Sequence, residues 1–331
     1  MERNTVKKKV RWSYAIAILI LLFFATTRAR ANETTAAEEE QSVTNARQAI
    51  YEEFAYASGV PWYEIAAIDQ YERNIATFIK GPANELAYET ISIRFKPEIW
   101  SGQLAPSVYE DCLDTIGLFG GLGLDGDGDG LADIHNEQDV LYTLVNYLLG
   151  FDDFEAALLA YYQNEEATRI ILGISQLFAH HGTIELDERS FPVSTWNNYS
   201  YENGYGAARG WGGRRSHEGI DIFADYGVPV LATSYGIVEV AGWNKYGGYR
   251  IGIRDIYNTY QYYAHLQGFA EGLEVGTLVE PGQVIGSVGS TGYGKEGTSG
   301  KFPPHLHFGL YKYDGSKEWA FNPYSHLRRW E

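Results

Sequence analysis

Apolar residues in the first half of the chain recur at the three- and four-residue spacing of a helix. This spacing runs over residues 44–57 and resumes after the break at Pro61. The apolar positions of these two segments are Ala46, Ile50, Phe54, Ala57, Ile65, Ile68, Tyr71, Ile75 and Phe78. Two later segments with the same pattern, residues 139–149 and 154–180, predict two more helices. We therefore expect a helical domain over residues 42–181.

The pattern changes in the second half of the chain, where short runs rich in Val, Ile and Tyr are separated by glycines. Residues 182–210 are rich in Ser, Asn, Tyr and Gly, which predicts a surface linker between the helical and the strand-rich parts of the chain. The clearest runs are 228–233, 236–241, 249–253 and 260–266. They predict strands, so residues 211–331 form a mostly antiparallel β domain and the chain is an α+β multidomain protein.

The first 31 residues have the charge and hydropathy pattern of an export signal. A basic stretch precedes an apolar run over residues 12–25, and the small-residue pattern Ala29-Arg30-Ala31 follows. The apolar run is shorter than the roughly 20 residues of a membrane span, which favours cleavage after Ala31 over retention as a membrane anchor. Residues 32–41 then form a flexible tether. We expect the body of the protein to work outside the cytoplasm and to contact a membrane only through an uncleaved N-terminal segment.

Charge and cysteine content restrict the partners and the kinds of metal site. The formal net charge of −17 disfavours nucleic acid as a partner. The single cysteine, Cys112, excludes an internal disulfide and a cysteine-rich structural zinc site. Any metal in this protein must therefore be held by histidines and carboxylates.

A candidate metal site follows from the spacing of histidines in the predicted β domain. His305 and His307 flank Leu306, so in a strand both imidazoles point to one face while Leu306 points to the core. His217 and Asp221 are four residues apart and also share a face if their segment is extended. Together with one of the paired histidines they make a three-ligand site with an open fourth position, which is typical of catalytic zinc.

Three short segments carry a family resemblance. HEGID at 217–221, YAHL at 263–266 and PHLHF at 304–308, in that order, resemble the lysostaphin-type endopeptidases of peptidase family M23. The resemblance covers the whole of residues 211–331. It implies a zinc peptidase that cuts the peptides of bacterial cell walls. The zinc ligands that it implies are His217, Asp221 and His307.

The same resemblance makes His305 and His265 the histidines that flank the reacting water. We expect His305 to accept a proton from that water and return it to the leaving amine, and His265 to stabilise the oxyanion or share the proton transfer. Alternation places Glu218 on the face opposite the ligands, exposed to solvent. Arg214 and Arg215 either orient a substrate carboxylate or form a solvated pair. The glycine-rich segments 242–248 and 286–300 form either the walls of a groove or ordinary turns.

The helical domain contains an EF-hand-like loop at residues 125–136. A glycine stands at its sixth position, where such loops turn sharply, but its twelfth residue is Asn136 rather than the usual Glu. The predicted calcium ligands are Asp125, Asp127, Asp129 and Asp133. The alternative is a solvated acidic loop without metal.

The helical domain also resembles the membrane-bound lytic transglycosylases. The likeness covers the loop and helix of residues 123–149 and the helix of 154–177, and Glu72 lies where those enzymes place their catalytic acid. The glycine and Met-Gln motif that follows this acid in them is missing. We therefore expect a degenerate domain that binds or positions glycan.

The order of export segment, transglycosylase-like domain and terminal peptidase resembles the sporulation-specific L-Ala–D-Glu endopeptidases of endospore-forming bacilli. This implies secretion to the cell wall or spore envelope and cleavage of the L-Ala–D-Glu bond during maturation of the spore cortex. Two alternatives stay open. One is a non-catalytic peptidoglycan-binding activator, which the retained ligands disfavour, and the other is glycan-strand cleavage by Glu72.

Overall fold

The computed structural model describes residues 36–78, 90–107, 110–210 and 215–331. The predicted export segment 1–31, the start of the tether and Arg214 lie outside these residues. The described residues divide into two compact units, 36–72 with 90–163, and 73–78 with 164–331. Within the described ranges, no helix has both the length and the apolar character needed to cross a membrane.

The first unit is helical, as the sequence predicts. Its helices are α1 (Ala36–Ser58), α2 (Trp62–Ala76, whose last turn belongs to the second unit), α3 (Pro97–Trp100), α4 (Leu113–Leu118), α5 (Glu137–Leu148) and α6 (Phe154–Tyr162). The predicted tether over residues 32–41 is wrong for residues 36–41, because the Ala, Glu and Gln residues there have high helix propensity and extend α1.

A buried carboxylate joins the first two helices. Asp69 of α2 has no solvent exposure, and its Oδ2 accepts hydrogen bonds from Tyr51 Oη at 2.7 Å and Arg47 Nη2 at 3.0 Å. Its Oδ1 accepts from the backbone amide of Ser92. Asp69 is therefore stabilised in the interior by three donors, one of them cationic.

The predicted helix over residues 154–180 is interrupted after α6. Gln163 has a left-handed φ of 50°, and Asn164 starts α7 (Glu165–His181) by accepting hydrogen bonds from the amides of Glu166 and Ala167. Helix α7 is assigned to the second unit, so the division of the chain falls at 163/164 rather than at the predicted 181/182. The reason is packing: a Cβ added to Gly173 would lie 3.2 Å from Ile237 of the sheet.

The second unit is built on antiparallel strands, as predicted. The strands are β1 (Tyr199–Tyr201), β2 (Ala208–Arg209), β3 (Arg215–Ser216), β4 (Ile220–Ala224), β5 (Pro229–Leu231), β6 (Gly236–Asn244), β7 (Gly248–Arg254), β8 (Thr259–Phe269), β9 (Leu278–Val279), β10 (Val284–Val288), β11 (His305–Tyr313) and β12 (Glu318–Phe321). Helix α8 (Tyr324–Trp330) follows the last strand. The main sheet has the order β1-β4-β11-β8-β7-β6-β9, with β10 pairing with β5 and β8, while β2 and β3 form a separate hairpin. Strand β11 thus lies between β4 and β8, which places the three histidine motifs side by side.

The predicted linker over 182–210 is instead part of the β unit. Phe191 and Val193 are 3% and 1% exposed and belong to its apolar core. Val193 also forms a bridge with Val230 of β5, and residues 199–201 form β1. The polar composition of the segment concealed these buried apolar side chains, which pack against the core of the β unit.

Candidate active site

Neighbouring strands bring the three predicted ligands together. Asp221 on β4 and His307 on β11 are directly opposite each other in the antiparallel register. His217 lies between β3 and β4 and is 5% exposed. Leu306 is fully buried, so the alternation predicted for the paired histidines is confirmed.

The ligand atoms form a nearly equilateral triangle. His217 Nε2 lies 3.0 Å from Asp221 Oδ1 and 3.0 Å from His307 Nδ1, and the third side, from His307 Nδ1 to Asp221 Oδ1, is 3.1 Å. The ring of His307 fits closely over Gly219, where an added Cβ would lie 2.7 Å from His307 Nε2. Only glycine therefore leaves room for this imidazole.

The hydrogen bonds around the triangle favour a cation at its centre. The carbonyl of Gly204 lies 2.9 Å from His217 Nδ1, and a carbonyl can only accept, so Nδ1 carries the proton and Nε2 presents a lone pair. Burial opposes ionisation of Asp221, yet the adjacent imidazoles of His217 and His307 hold the pKa of its carboxyl well below the usual range. Burial lowers the pKa of His307. Two neutral imidazole nitrogens and a carboxylate oxygen that converge in this way fit a divalent metal.

Arg209 is a functional candidate that the sequence did not indicate. Its Nη2 lies 2.5 Å from Asp221 Oδ2, the oxygen that faces away from the triangle. Because Nδ1 of His217 already donates to Gly204, the 3.0 Å contact of Arg209 with that nitrogen is not a hydrogen bond. Arg209 therefore fixes the carboxylate so that Oδ1 faces the ligand nitrogens. It lies on the β2–β3 hairpin, whose return towards β4 no local pattern predicts.

The two predicted catalytic histidines lie beside the triangle. His305 Nδ1 donates to the carbonyl of Pro303 at 2.8 Å, and its Nε2 is 4.0 Å from Asp221 Oδ1. His265 Nδ1 donates to the carbonyl of Thr291 at 2.7 Å, and its ring centroid is 4.8 Å from that of His305. Each histidine therefore keeps Nε2 as an acceptor. Burial, with the neighbouring His305 and His307, lowers the pKa of His265 to about 3.

His265 also has an uncommon backbone conformation. Its φ is 64°, a left-handed value that non-glycine residues adopt rarely and that costs on the order of 1–3 kcal/mol. Its amide donates to the carbonyl of Gly247 at 2.7 Å, which holds this geometry. With this backbone conformation, the ring of His265 lies beside that of His305. Strained backbone conformations of this kind cluster at active sites.

The ligands open into a groove of about 260 Å³. Asn244, Tyr246 and Gly247 line it from the β6–β7 turn, and Tyr293 lines it from the second glycine-rich segment. The two glycine-rich segments thus supply both turns and walls. Glu218 is exposed, as predicted, although it lies at the edge of this groove. The groove combines aromatic walls with the polar and charged side chains that converge on the ligands, which suits a peptide substrate.

The acidic loop of the helical unit groups its carboxylates differently from the prediction. The oxygens that lie close enough for one metal ion belong to Asp125, Asp127 and Asp139. Asp129 and Asp133 are outside this group, and their side chains accept hydrogen bonds from the amides of Leu131 and His135. The grouping therefore differs from the predicted set in these two members, and the calcium ligands stay a prediction. Asp125 likewise accepts from the amides of residues 128 and 130, so the carboxylates stabilise the turns of the loop.

Glu72 is half-buried in the helical unit. Tyr162 Oη donates to its Oε1 at 2.6 Å, and burial raises the pKa of Glu72 to about 7. The cavity beside it has a volume of only about 20 Å³, which is room for about one water molecule. This cavity is therefore too small for a sugar ring.

Known proteins similar to this chain share its second unit and, in one case, almost the whole chain. The pattern of peptidase family M23 matches residues 215–323. The L-Ala–D-Glu endopeptidase of Bacillus subtilis (strain 168) is 48% identical over 321 residues, which cover 95% of this chain and 96% of that protein. Lysostaphin of Staphylococcus simulans is 40% identical over 114 residues, 34% of this chain and 21% of that protein.

Two solved structures are similar to part of this chain. The catalytic domain of lysostaphin from S. simulans is 37% identical and covers 43% of this chain and 99% of that chain, with a TM-score of 0.34. A zinc-containing peptidase from Vibrio cholerae is 27% identical and covers 40% of this chain and 39% of that chain, with a TM-score of 0.32. The 48% identity to the B. subtilis enzyme, which extends over nearly the full length of both proteins, establishes the family. This chain belongs to peptidase family M23.

Proposed function

We propose that the protein is a zinc-dependent endopeptidase that hydrolyses peptidoglycan stem peptides at the bond between L-Ala and D-Glu. The observation that carries the proposal is the triangle of His217, Asp221 and His307 beside two histidines with free acceptor nitrogens in one groove. The 48% identity to an L-Ala–D-Glu endopeptidase over almost the whole chain supports the choice of bond.

His217 Nε2, His307 Nδ1 and Asp221 Oδ1 would hold the metal. Two imidazole nitrogens among three ligands favour zinc over calcium or magnesium, which prefer oxygen ligands. Zinc, when bound there, acts as a Lewis acid that makes water easier to deprotonate at neutral pH and polarises a carbonyl group.

His305 and His265 would move the proton. His305 Nε2 is an acceptor at the edge of the triangle, so it accepts the proton of the attacking water as the new C–O bond forms at the scissile carbonyl. The same nitrogen returns this proton to the D-Glu nitrogen as the C–N bond breaks. His265, whose pKa is low, stays neutral, and its Nε2 holds the water or shares the proton transfer rather than donating to the oxyanion.

We propose two further roles from the sequence. Export through residues 1–31, with cleavage after Ala31 or retention as an anchor, would deliver the protein to the wall or spore envelope for cortex maturation. The helical unit would bind or position glycan as a degenerate transglycosylase-like domain that does not cut it, because the glycine and Met-Gln motif expected after Glu72 is missing. Calcium binding in loop 125–136 remains a prediction, and a calcium-dependent rise in melting temperature that Asp125→Asn abolishes would support it.

Metal removal tests the zinc endopeptidase directly. Chelation should abolish solubilisation of purified peptidoglycan, and titration with zinc should restore it at one zinc per chain. His307→Ala should bind no zinc in this site and stay inactive. A non-catalytic activator would instead leave the wall intact at every zinc concentration, and activity of the metal-free protein would contradict the proposal.

A further inference from the structure

Arg215 lies at the wall of the groove between two tyrosines. Its Cζ atom is 5.6 Å from the ring centroid of Tyr246 and 5.4 Å from that of Tyr293, and its Nη2 donates to the hydroxyl of Tyr293. Two cation–π contacts and a hydrogen bond restrict a side chain that would otherwise lose much conformational entropy on binding a ligand. The guanidinium is thus held in place before any substrate arrives.

The charge of Arg215 is available to a ligand. Over the part of the chain that the structure describes, no ion pair joins Arg215 to a carboxylate, and its hydrogen-bond partner is a neutral phenol. Arg209, the other arginine among the described residues that line the groove, already pairs with Asp221.

The position of Arg215 relates it to the reacting bond. Tyr293 stacks against the ring of His265, with centroids 5.9 Å apart and an angle of 17° between the planes. One aromatic ring therefore separates the guanidinium from a histidine of the catalytic group. A ligand group held by Arg215 would therefore lie beside the catalytic group, one aromatic ring away from His265.

The substrate proposed above carries a group that fits this position. D-Glu has two carboxyl groups, and a linear stem peptide uses only one of them to form the amide bond to the next residue. The other is ionised at neutral pH and lies on the residue that provides the leaving amine. We infer that Arg215, held between Tyr246 and Tyr293, is a binding subsite for this free carboxylate of D-Glu, through the paired N–H donors of its guanidinium. This inference rests on the proposed function.

Two synthetic stem peptides test the subsite, identical except that the free carboxyl of D-Glu is replaced by a primary amide in one. The wild-type protein should cleave the carboxylate peptide with a kcat/KM about 10- to 100-fold higher than that of the amide peptide, mainly through KM. Arg215→Gln should lower cleavage of the carboxylate peptide by that factor and leave the amide peptide unchanged, so that the preference disappears. Arg215→Lys, which keeps the charge without the paired donors, should retain part of it.

Lys245→Gln is the matched control, because Lys245 also contacts the ring of Tyr246, at 5.5 Å, but does not line the groove. It should keep the wild-type preference at unchanged zinc content. A preference that persists in Arg215→Gln, or its absence in the wild-type protein, would overturn the subsite while leaving the peptidase intact. Failure of the wild-type protein to cut either peptide between L-Ala and D-Glu would instead reject the proposed bond, and the subsite with it.

Discussion

Single residues determine whether the metal triangle can form. Gly219 stands between two of the ligands in sequence and beneath the third in space. A Cβ at this position would lie 2.6 Å from the carbonyl oxygen of Phe308 and 2.7 Å from the ring of His307. Neither β11 nor the imidazole can move without displacing Nδ1 from the triangle.

We therefore predict that Gly219→Ala weakens zinc binding by about 10- to 100-fold, as expected when the support of a metal ligand is disturbed. Competition with a chromophoric chelator measures this affinity. Gly268→Ala is the control, because an added Cβ there meets no atom within 4 Å and Gly268 also lies in the main sheet. Equal zinc affinities for the two variants would show that His307 does not depend on the space above Gly219.

Glu72 gives a prediction about stability and pH. Its pKa is about 7 in the folded protein, above the ordinary value of 4.5, because burial disfavours the charged form. The folded state therefore binds this proton more tightly than the unfolded state, and the resulting stabilisation is complete below pH 4.5 and is lost as the pH rises through 7. Glu72→Gln removes the charge at every pH.

Urea unfolding of the wild-type protein and Glu72→Gln between pH 4.5 and 8 isolates this effect. The free energy of unfolding of the wild-type protein should fall relative to that of the variant by on the order of 1–3 kcal/mol across the range. Metal ligands and other titrating groups are the same in both proteins and cancel in the difference. A difference that stays constant with pH would mean that the pKa of Glu72 is not raised.

At the scale of elements, Asn164 determines how the second unit begins. Its Oδ1 caps α7, and its Nδ2 donates to Tyr313 Oη at 2.7 Å. Asn164→Ala should lower the free energy of unfolding by about 1–3 kcal/mol, because it removes a cap and leaves a tyrosine hydroxyl without its donor. Asn164→Asp keeps the capping oxygen and should lose less. Equal losses in thermal or urea unfolding would assign the whole effect to the bond with Tyr313.

Features that depend on neighbouring residues in the sequence were easier to predict than features that depend on residues far apart in the sequence. The side of the sheet on which His305 and His307 lie was predictable, because alternation in a strand is local. The break at Gln163 has a local cause, the cap that Asn164 provides for α7, which the spacing of apolar residues did not reveal. The role of Arg209 was not predictable, because it depends on a hairpin that brings Arg209 to Asp221. Phe191 and Val193 were also missed, because their burial depends on packing against the sheet rather than on the composition of their own polar segment.

For the whole molecule, the central claim is the bond that it cuts. Mass spectrometry of purified peptidoglycan, digested with the zinc-loaded protein in parallel with His307→Ala, tests it most directly. We predict new free amino groups on D-Glu with the wild-type protein and none with the variant. Cleavage at another peptide bond would contradict the L-Ala–D-Glu assignment, and anhydro-sugars released by both proteins would place the chemistry at Glu72 instead.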